Sequence, residues 1–444
     1  MHKMQENGLV VVVKRDCPTC VMIAPVLQQL VEQGSLMVYS QDDPAFPEGI
    51  ADVADDTLLD ASYRLDVEIV PTLVRFEDGR EVDRTYGWDR AAWESLTGIG
   101  DLGADLPAFK PGCGALNQEQ DRLAELKIRH DDTPMVSRHV QIGAKEDPIE
   151  ACYERGWSDG LPVIPPTQTR VLAMLDGTTR SADEVLGLMP SNLDACTVEK
   201  VAINAVMAGC RPEYLPVVLA AIEAVLDEDY CLHGTLATTR FVGPVAIVNG
   251  PIARQIGMNG RGNALGQGNR ANDTIGRAVQ LAVRNIGGGK PQGVDRATLG
   301  NPGKISYCFC EDEEGSAWAP LTVDRGLAAG ANAVTVFAGY GLQGVIDDLA
   351  RTPEELVETM AASLRAVDNV KKFPGPDCLL VVCPEHERTF MEGRWDKARV
   401  HKELMARMAV PADSVLRGLG GMAEGVKPEM AGKTVSKLLP NGLM

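Results

Sequence analysis

Leu9-Val10-Val11-Val12-Val13-Lys14-Arg15-Asp16-Cys17-Pro18-Thr19-Cys20 decides how the N-terminal part of this chain folds. An apolar, largely β-branched run ends in a charged turn, which is the pattern of a buried strand. Behind the cysteines, residues 21–32 carry apolar side chains at helical spacing, so Cys17 stands at a helix N-terminus. Pro18 suits the first helical turn, where its missing N–H costs nothing, and Gly34 closes the helix. Thiol–disulfide exchange needs a partly exposed, electrostatically stabilised thiolate. C-x-x-C at a helix start supplies it: the first Cys gains from the helix N-terminus, and the second lies one turn later, within disulfide reach. Lys14 and Arg15 add positive charge there, and Asp16 opposes it.

Working outward, residues 36–40 read as a second strand, 51–63 as a helix, and 69–76 as a strand carrying Pro71. Glu77-Asp78-Gly79-Arg80 is a hairpin turn into 81–86, and 89–96 is a final helix. The order is β-α-β-α-β-β-α. C-x-x-C alone is also half a zinc site, but no second C-x-x-C or H-x-H pair occurs, and no metal or cofactor is expected. The strand–CPTC–helix arrangement, together with Ile69-Val70-Pro71-Thr72-Leu73, resembles the thioredoxin family over residues 8–97. Gly87 and the helix after it also match. The resemblance implies a cis Pro71 packed beside the redox pair Cys17 and Cys20. Three features depart from that family. Asp16 replaces the usual aromatic residue, 10–13 holds no buried acid, and the segment before Pro71 is longer. A dedicated intramolecular or single-partner role fits these departures better than a general reductant.

The chain has 444 residues, too long for one typical core. Three segments are expected: a thioredoxin-like domain at 1–100, a Gly-, Pro- and Asp-rich linker at 101–145 with a short helix at 117–127, and a larger α/β domain at 146–444. Cys113 lies in that linker, within Pro111-Gly112-Cys113-Gly114. A net charge of −19 argues against nucleic-acid and anionic-membrane partners. No apolar run is long enough to span a bilayer. Residues 1–13 lack a signal-peptide cleavage site, so eleven cysteines point to a reducing, cytoplasmic setting and to redox or metal chemistry rather than structural bridges. The sequence leaves a homo-oligomer open.

In the larger domain a long helical pattern at 198–225 precedes a strand at 245–248 and Asn249-Gly250-Pro251-Ile252. Later, a helical pattern at 353–367 precedes a strand at 379–382 and Cys383-Pro384-Glu385-His386. Two pseudo-repeated half-domains would produce this, with a cleft at the strand ends; two independent strand–Pro–helix turns would look the same. Gly156 to Thr167 is a proline-stiffened segment whose Asp159 can face a site or hold a turn. Residues 259–272 hold four glycines, four asparagines and two arginines, and run into a helix at 273–285. Arg261, Asn263, Asn269 and Arg270 are therefore candidates for binding a small anionic substrate, with a structural loop as the alternative. Cys308 and Cys310 share one face of an apparent strand at 305–310, and Cys210 ends an apolar helix. His386 and His233 are the candidate general acid–base groups.

The segments GWSDGLPVIPPT, AVMAGCRPEYLPVV, GNRANDTIGRAV and PEHERTF together resemble the C-terminal domain of the UGSC-type (seleno)protein family and its thioredoxin-fused relatives, over about 150–410. Some relatives carry Cys in the glycine-rich loop where this chain has residues such as Gly260 or Asn263, which implies no redox-active Cys there. The leading expectation is a thiol–disulfide oxidoreductase. In it Cys17 attacks, Cys20 resolves, Pro71 packs beside them, and a thiol reductant or reductase supplies electrons for a small molecule in the larger domain. The alternatives are a non-redox lyase or hydrolase using His386 or His233, and a soft-metal or sulfur-handling protein using CPTC and Cys308-Phe309-Cys310.

Overall fold

A computed structural model describes residues 7–34 and 36–444. The expectation of no export signal falls partly on residues 1–6, which lie outside the described residues. The protein is mixed α/β and divides into two compact units, Met1–Thr133 and Pro134–Met444.

The first unit runs β1 (Gly8–Val13), α1 (Pro18–Gln33), β2 (Leu36–Ser40), β3 (Val53–Asp55), α2 (Asp60–Arg64), β4 (Ile69–Val70), β5 (Thr72–Glu77), β6 (Arg80–Tyr86), β7 (Trp88–Asp89), α3 (Arg90–Thr97), β8 (Phe109–Lys110), β9 (Cys113–Gly114) and α4 (Gln120–Arg129). Its five-stranded sheet has the order β3-β2-β1-β5-β6. The valine run of β1 lies near its centre, parallel to β2 and antiparallel to β5, with Val11 opposite both Val38 and Leu73. Both faces of a central strand are covered, which is why the run is continuous rather than alternating. Helix α1 buries Cys20, Ile23, Val26, Leu27 and Leu30, one stripe at helical spacing.

Three expectations change here. The 51–63 helix is instead the edge strand β3 followed by the short α2. Buried Asp56 explains the break: its carboxylate takes the backbone N–H groups of Ala61 at 2.8 Å and Ser62 at 2.9 Å, and so starts α2 late. The 69–76 strand is interrupted at Pro71, which cannot donate to a ladder. The segment expected to link, 101–145, contributes its residues up to Thr133 to this unit. Trp88 donates to the Pro107 carbonyl at 2.6 Å, and Leu102 is fully buried. Buried Gln41 bridges Ser62 and Asn117, while Asn117 donates to Val67 at 2.8 Å. Polar and backbone bonds hold this segment, so it shows no apolar period. Its helix begins at Gln120, after a single turn at Leu116–Gln118.

The second unit opens with α5 (Pro148–Glu154), α6 (Gln168–Leu175), the hairpin β10 (Val185–Met189) and β11 (Asp194–Thr197), α7 (Val198–Ala208), α8 (Leu215–Leu226) and α9 (Leu232–Ala237). Then come β12 (Gly243–Asn249), α10 (Pro251–Gln255), α11 (Arg270–Asn285), β13 (Cys308–Cys310), α12 (Leu321–Asp324) and β14 (Ala333–Gly339). It ends with α13 (Pro353–Ala366), α14 (Pro384–Glu392), α15 (Lys397–Arg407), β15 (Ala409–Pro411) and β16 (Thr434–Ser436). Strand β12 is wholly buried between parallel β13 and antiparallel β14. Helices α7, α8 and α11 share its main core.

The long 198–225 helix is two helices. Gly209, at φ +93°, caps α7 and Pro212 starts the next turn. Strand 305–310 shortens to β13, because a turn at Pro302–Lys304 occupies its approach. Residues 379–382 join no sheet; Leu380 donates to the Met444 carbonyl at 2.9 Å instead. One strand–Pro–helix junction therefore lies in the sheet and the other does not, so the paired half-domains are not seen. Among the described residues no helix is long and apolar enough to cross a membrane.

Candidate functional site

Cys17 is the N-cap of α1, extended at φ −139° and ψ 110°. Its Sγ accepts the Cys20 N–H at 3.3 Å, filling a role usually taken by Ser, Thr, Asp or Asn. As a thiol, Cys17 donates to the Val70 carbonyl at 3.5 Å. The following Val70–Pro71 peptide is cis. Pro71 accepts from the Gly87 N–H at 2.8 Å, tying the Pro71 loop to the turn before α3.

A third cysteine comes to the same Val70 backbone. Strand β9 pairs with β4, setting Cys113 opposite Val70 and Gly114 opposite Ile69. Strand β8 pairs with β7, Lys110 opposite Trp88. Residues 109–114 thus form a strap across the start of α1. Thr19 donates to Pro111 at 2.6 Å, Lys110 to Pro18 at 3.2 Å, and Lys14 to Gly114 at 2.9 Å. Under the strap Cys17 is 1 % exposed and Cys20 0 %, while Cys113 is partly exposed.

The sulfurs differ in proton affinity. The Cys20 thiol hydrogen-bonds the Cys17 sulfur; the Cys20 and Thr19 backbone and the Cys113 thiol add to this. Against desolvation they bring Cys17 down to about 5. Burial, then the neighbouring Cys17 charge, holds Cys20 far above the ordinary thiol range. Burial and Cys17 also raise Cys113, while Lys14 opposes the rise. One sulfur of the three is selected as the thiolate. Arg15, expected to help, faces Asp43 at 2.6 Å and Glu48 at 2.7 Å instead.

The remaining predicted residues lie in the second unit, and its geometry separates them. Asp159 accepts both arms of Arg277 at 2.8 Å, with both side chains about 15 % exposed. Burial alone would raise that carboxyl; the guanidinium overrides it and holds it low. The 259–272 loop is knitted to itself. Asn269 caps α11 through Asn272 at 3.0 Å and donates to Gly257 at 2.8 Å. Asn263 donates to Gln267 at 2.7 Å, and buried Asn272 donates to Asn259 and Ala264. Arg261 faces Asp312 at 3.1 Å and Glu314 at 3.8 Å, while Arg270 donates to the Gly209 carbonyl at 3.0 Å. The two arginines share no partner.

A cavity of about 1220 Å³ in the second unit takes only Leu265 from this loop. Phe241, Tyr307, Phe309 and Phe337 form much of its wall, and His386 lines it. Asp159, Arg261, Asn263, Asn269, Arg270 and His233 do not. Its polar side is a cluster the sequence did not signal. Asp368 accepts Arg240 at 3.1 Å and Tyr340 at 3.1 Å, with Lys372 3.4 Å away. Burial pushes Tyr340 up to about 12, helped by Asp368. His386 contacts the Asp347 carbonyl at 3.4 Å, and exposed His233 contacts Ser191 at 3.1 Å. Cys308 and Cys310 face the main core, opposite Phe309, and burial raises both thiols. Cys210 is likewise buried and pushed up to about 12. Among the described residues no group of three or more His, Cys, Asp or Glu side chains is arranged to hold a metal ion.

Sequence reasoning placed Cys113 in a linker. The flanking glycines were its only local signal, because the strap reaches α1 from 92 residues away, as the Thr19–Pro111 bond shows. No family model, no curated protein and no solved structure matches this chain.

Proposed function

We propose that the first unit is a thioredoxin-like thiol–disulfide module, with Cys17 as the attacking thiolate and Cys20 as the resolving thiol. The observation that carries this reading is the N-cap position of Cys17, whose sulfur accepts the Cys20 N–H while the Cys20 thiol stays protonated. The sheet order around β1, and the Val70 carbonyl against the Cys17 sulfur, support it further.

Chemically, the Cys17 thiolate attacks one sulfur of a client disulfide and expels the other as a thiolate. Cys20 then gives up its proton and attacks Cys17 Sγ, releasing the second client thiolate. The client disulfide is reduced to two thiols, and Cys17 and Cys20 are oxidised to one disulfide. A dithiol reductant returns them to the starting state. For the client we propose a small molecule held by the second unit, in the cavity beside Arg240, Tyr340 and His386.

The test is reduction of a disulfide client by the full chain with dithiothreitol as electron source. Cys17→Ser should abolish turnover, and undiminished turnover would sink the reading. A second reading keeps the chemistry in the second unit, with His386 as acid–base, because His386 lines its cavity. Turnover that survives Cys17→Ser without thiol, and is lost in His386→Ala, would favour that one.

A further inference from the structure

We propose that Cys113 is a third exchanging thiol of this site: it forms a disulfide with Cys17, so that oxidising equivalents pass between the covered Cys17–Cys20 pair and the surface. The inference rests on the reading of Cys17 as the attacking thiolate.

Three observations carry it. First, the two thiols perturb each other: Cys113 helps to lower Cys17, and Cys17 helps to raise Cys113. Second, both are fixed to one residue: Cys113 pairs with Val70 in the β4–β9 ladder, and the Val70 carbonyl accepts from Cys17. Third, exposure is graded. Cys17 and Cys20 are buried under the strap, and Cys113, on the strap itself, is the partly exposed residue of the three. A bulky disulfide thus meets Cys113 before it meets Cys17. The close seat of the strap is built in, since a β-carbon on Gly112 would lie 2.6 Å from the Val70 carbonyl oxygen.

The steps balance. Cys113, deprotonated by solvent, attacks a client disulfide and releases one client thiolate. The Cys17 thiolate attacks Cys113 Sγ and releases the second. Cys20 loses its proton and attacks Cys17 Sγ, returning Cys113 as a thiolate that takes up a proton. The client gains two electrons, and Cys17 and Cys20 lose them.

The experiment maps disulfides by mass spectrometry in full-length protein treated with oxidised glutathione, in wild type and Cys20→Ser. Wild type should close Cys17–Cys20, and Cys20→Ser should close Cys17–Cys113. If wild type forms no disulfide through Cys17, the underlying reading fails. If wild type closes Cys17–Cys20 while Cys20→Ser leaves Cys17 free or capped by glutathione, this inference alone is overturned. Cys20→Ala serves if the serine variant does not fold. In a second arm, Cys113→Ser should slow oxidation of the Cys17–Cys20 pair on the order of tenfold, since exchange then requires direct access to a covered sulfur. An unchanged rate would also overturn the inference.

Discussion

Gly112→Ala should lift the strap from Cys17 and open the site. The new methyl would overlap the Ile69 side chain and lie 2.6 Å from the Val70 oxygen and 3.2 Å from the Val70 carbonyl carbon. Two of those atoms are backbone and cannot step aside. Overpacking of this kind costs about 1–3 kcal/mol. The Thr19, Lys110 and Lys14 bonds that seat the strap are each worth only about 0.5–1.5 kcal/mol net. The strain therefore rivals what holds the strap down, while the core beneath β1 and α1 is untouched. Converted to populations, 1–3 kcal/mol is roughly a 5–150-fold shift toward the open state. When opening is fast relative to labelling, alkylation of a covered thiol tracks the open population. Cys17 alkylation at neutral pH should therefore rise by about that factor, with exposed Cys383 as internal reference. Buried Cys20 should stay unlabelled and tryptophan fluorescence should stay native. Equal Cys17 labelling in variant and wild type would refute the strap as the barrier. Simultaneous labelling of Cys17 and Cys20 would show unfolding of the unit instead.

In reduced wild type, Cys17 alkylation should reach half its maximum near pH 5, whereas an ordinary thiol does so near 8.5. The sign for stability follows: the folded pKa is depressed, so the contribution of Cys17 is complete above about pH 8.5 and is lost as pH falls toward 5. Removing one partner of the bidentate Asp159–Arg277 pair with Asp159→Ala should destabilise the second unit by about 3 kcal/mol, read as faster hydrogen exchange along α11. Because Arg277 holds Asp159 low, that contribution is full at neutral pH and disappears as pH drops through the carboxylate range. Thr352→Ala removes the reciprocal capping box with Glu355 and should cost α13 about 1 kcal/mol, seen as faster exchange in its first turns.

Much of the first unit was legible because its signals are local. Four consecutive valines, a C-x-x-C before an apolar helical stripe, and a Glu-Asp-Gly-Arg turn each specify an element within a few residues. What was not legible depends on contacts distant in sequence. The strap has no apolar period because Trp88, Thr19 and the Val70 backbone hold it, so Cys113 gave no sign of reaching Cys17. Residues 51–63 have helical spacing, yet buried Asp56 bonds the backbone and delays the helix. In the second unit, asparagines and arginines in a glycine-rich loop look like ligand binders. The same side chains that can reach an anion can reach their own backbone, and Asn263, Asn269 and Asn272 do the latter. The polar cluster in the cavity joins Arg240, Tyr340 and Asp368 from separate segments that share no motif.

The central claim is that Cys17 and Cys20 form a working, reversible disulfide. Equilibrating the full chain across glutathione ratios, and mapping the disulfide that contains Cys17, tests it most directly. The account predicts a reversible Cys17–Cys20 disulfide with a midpoint roughly between −120 and −270 mV, the range of exchanging dithiols. A pair that stays reduced at every ratio, or one that stays closed with a midpoint below about −300 mV like a structural bridge, would contradict it.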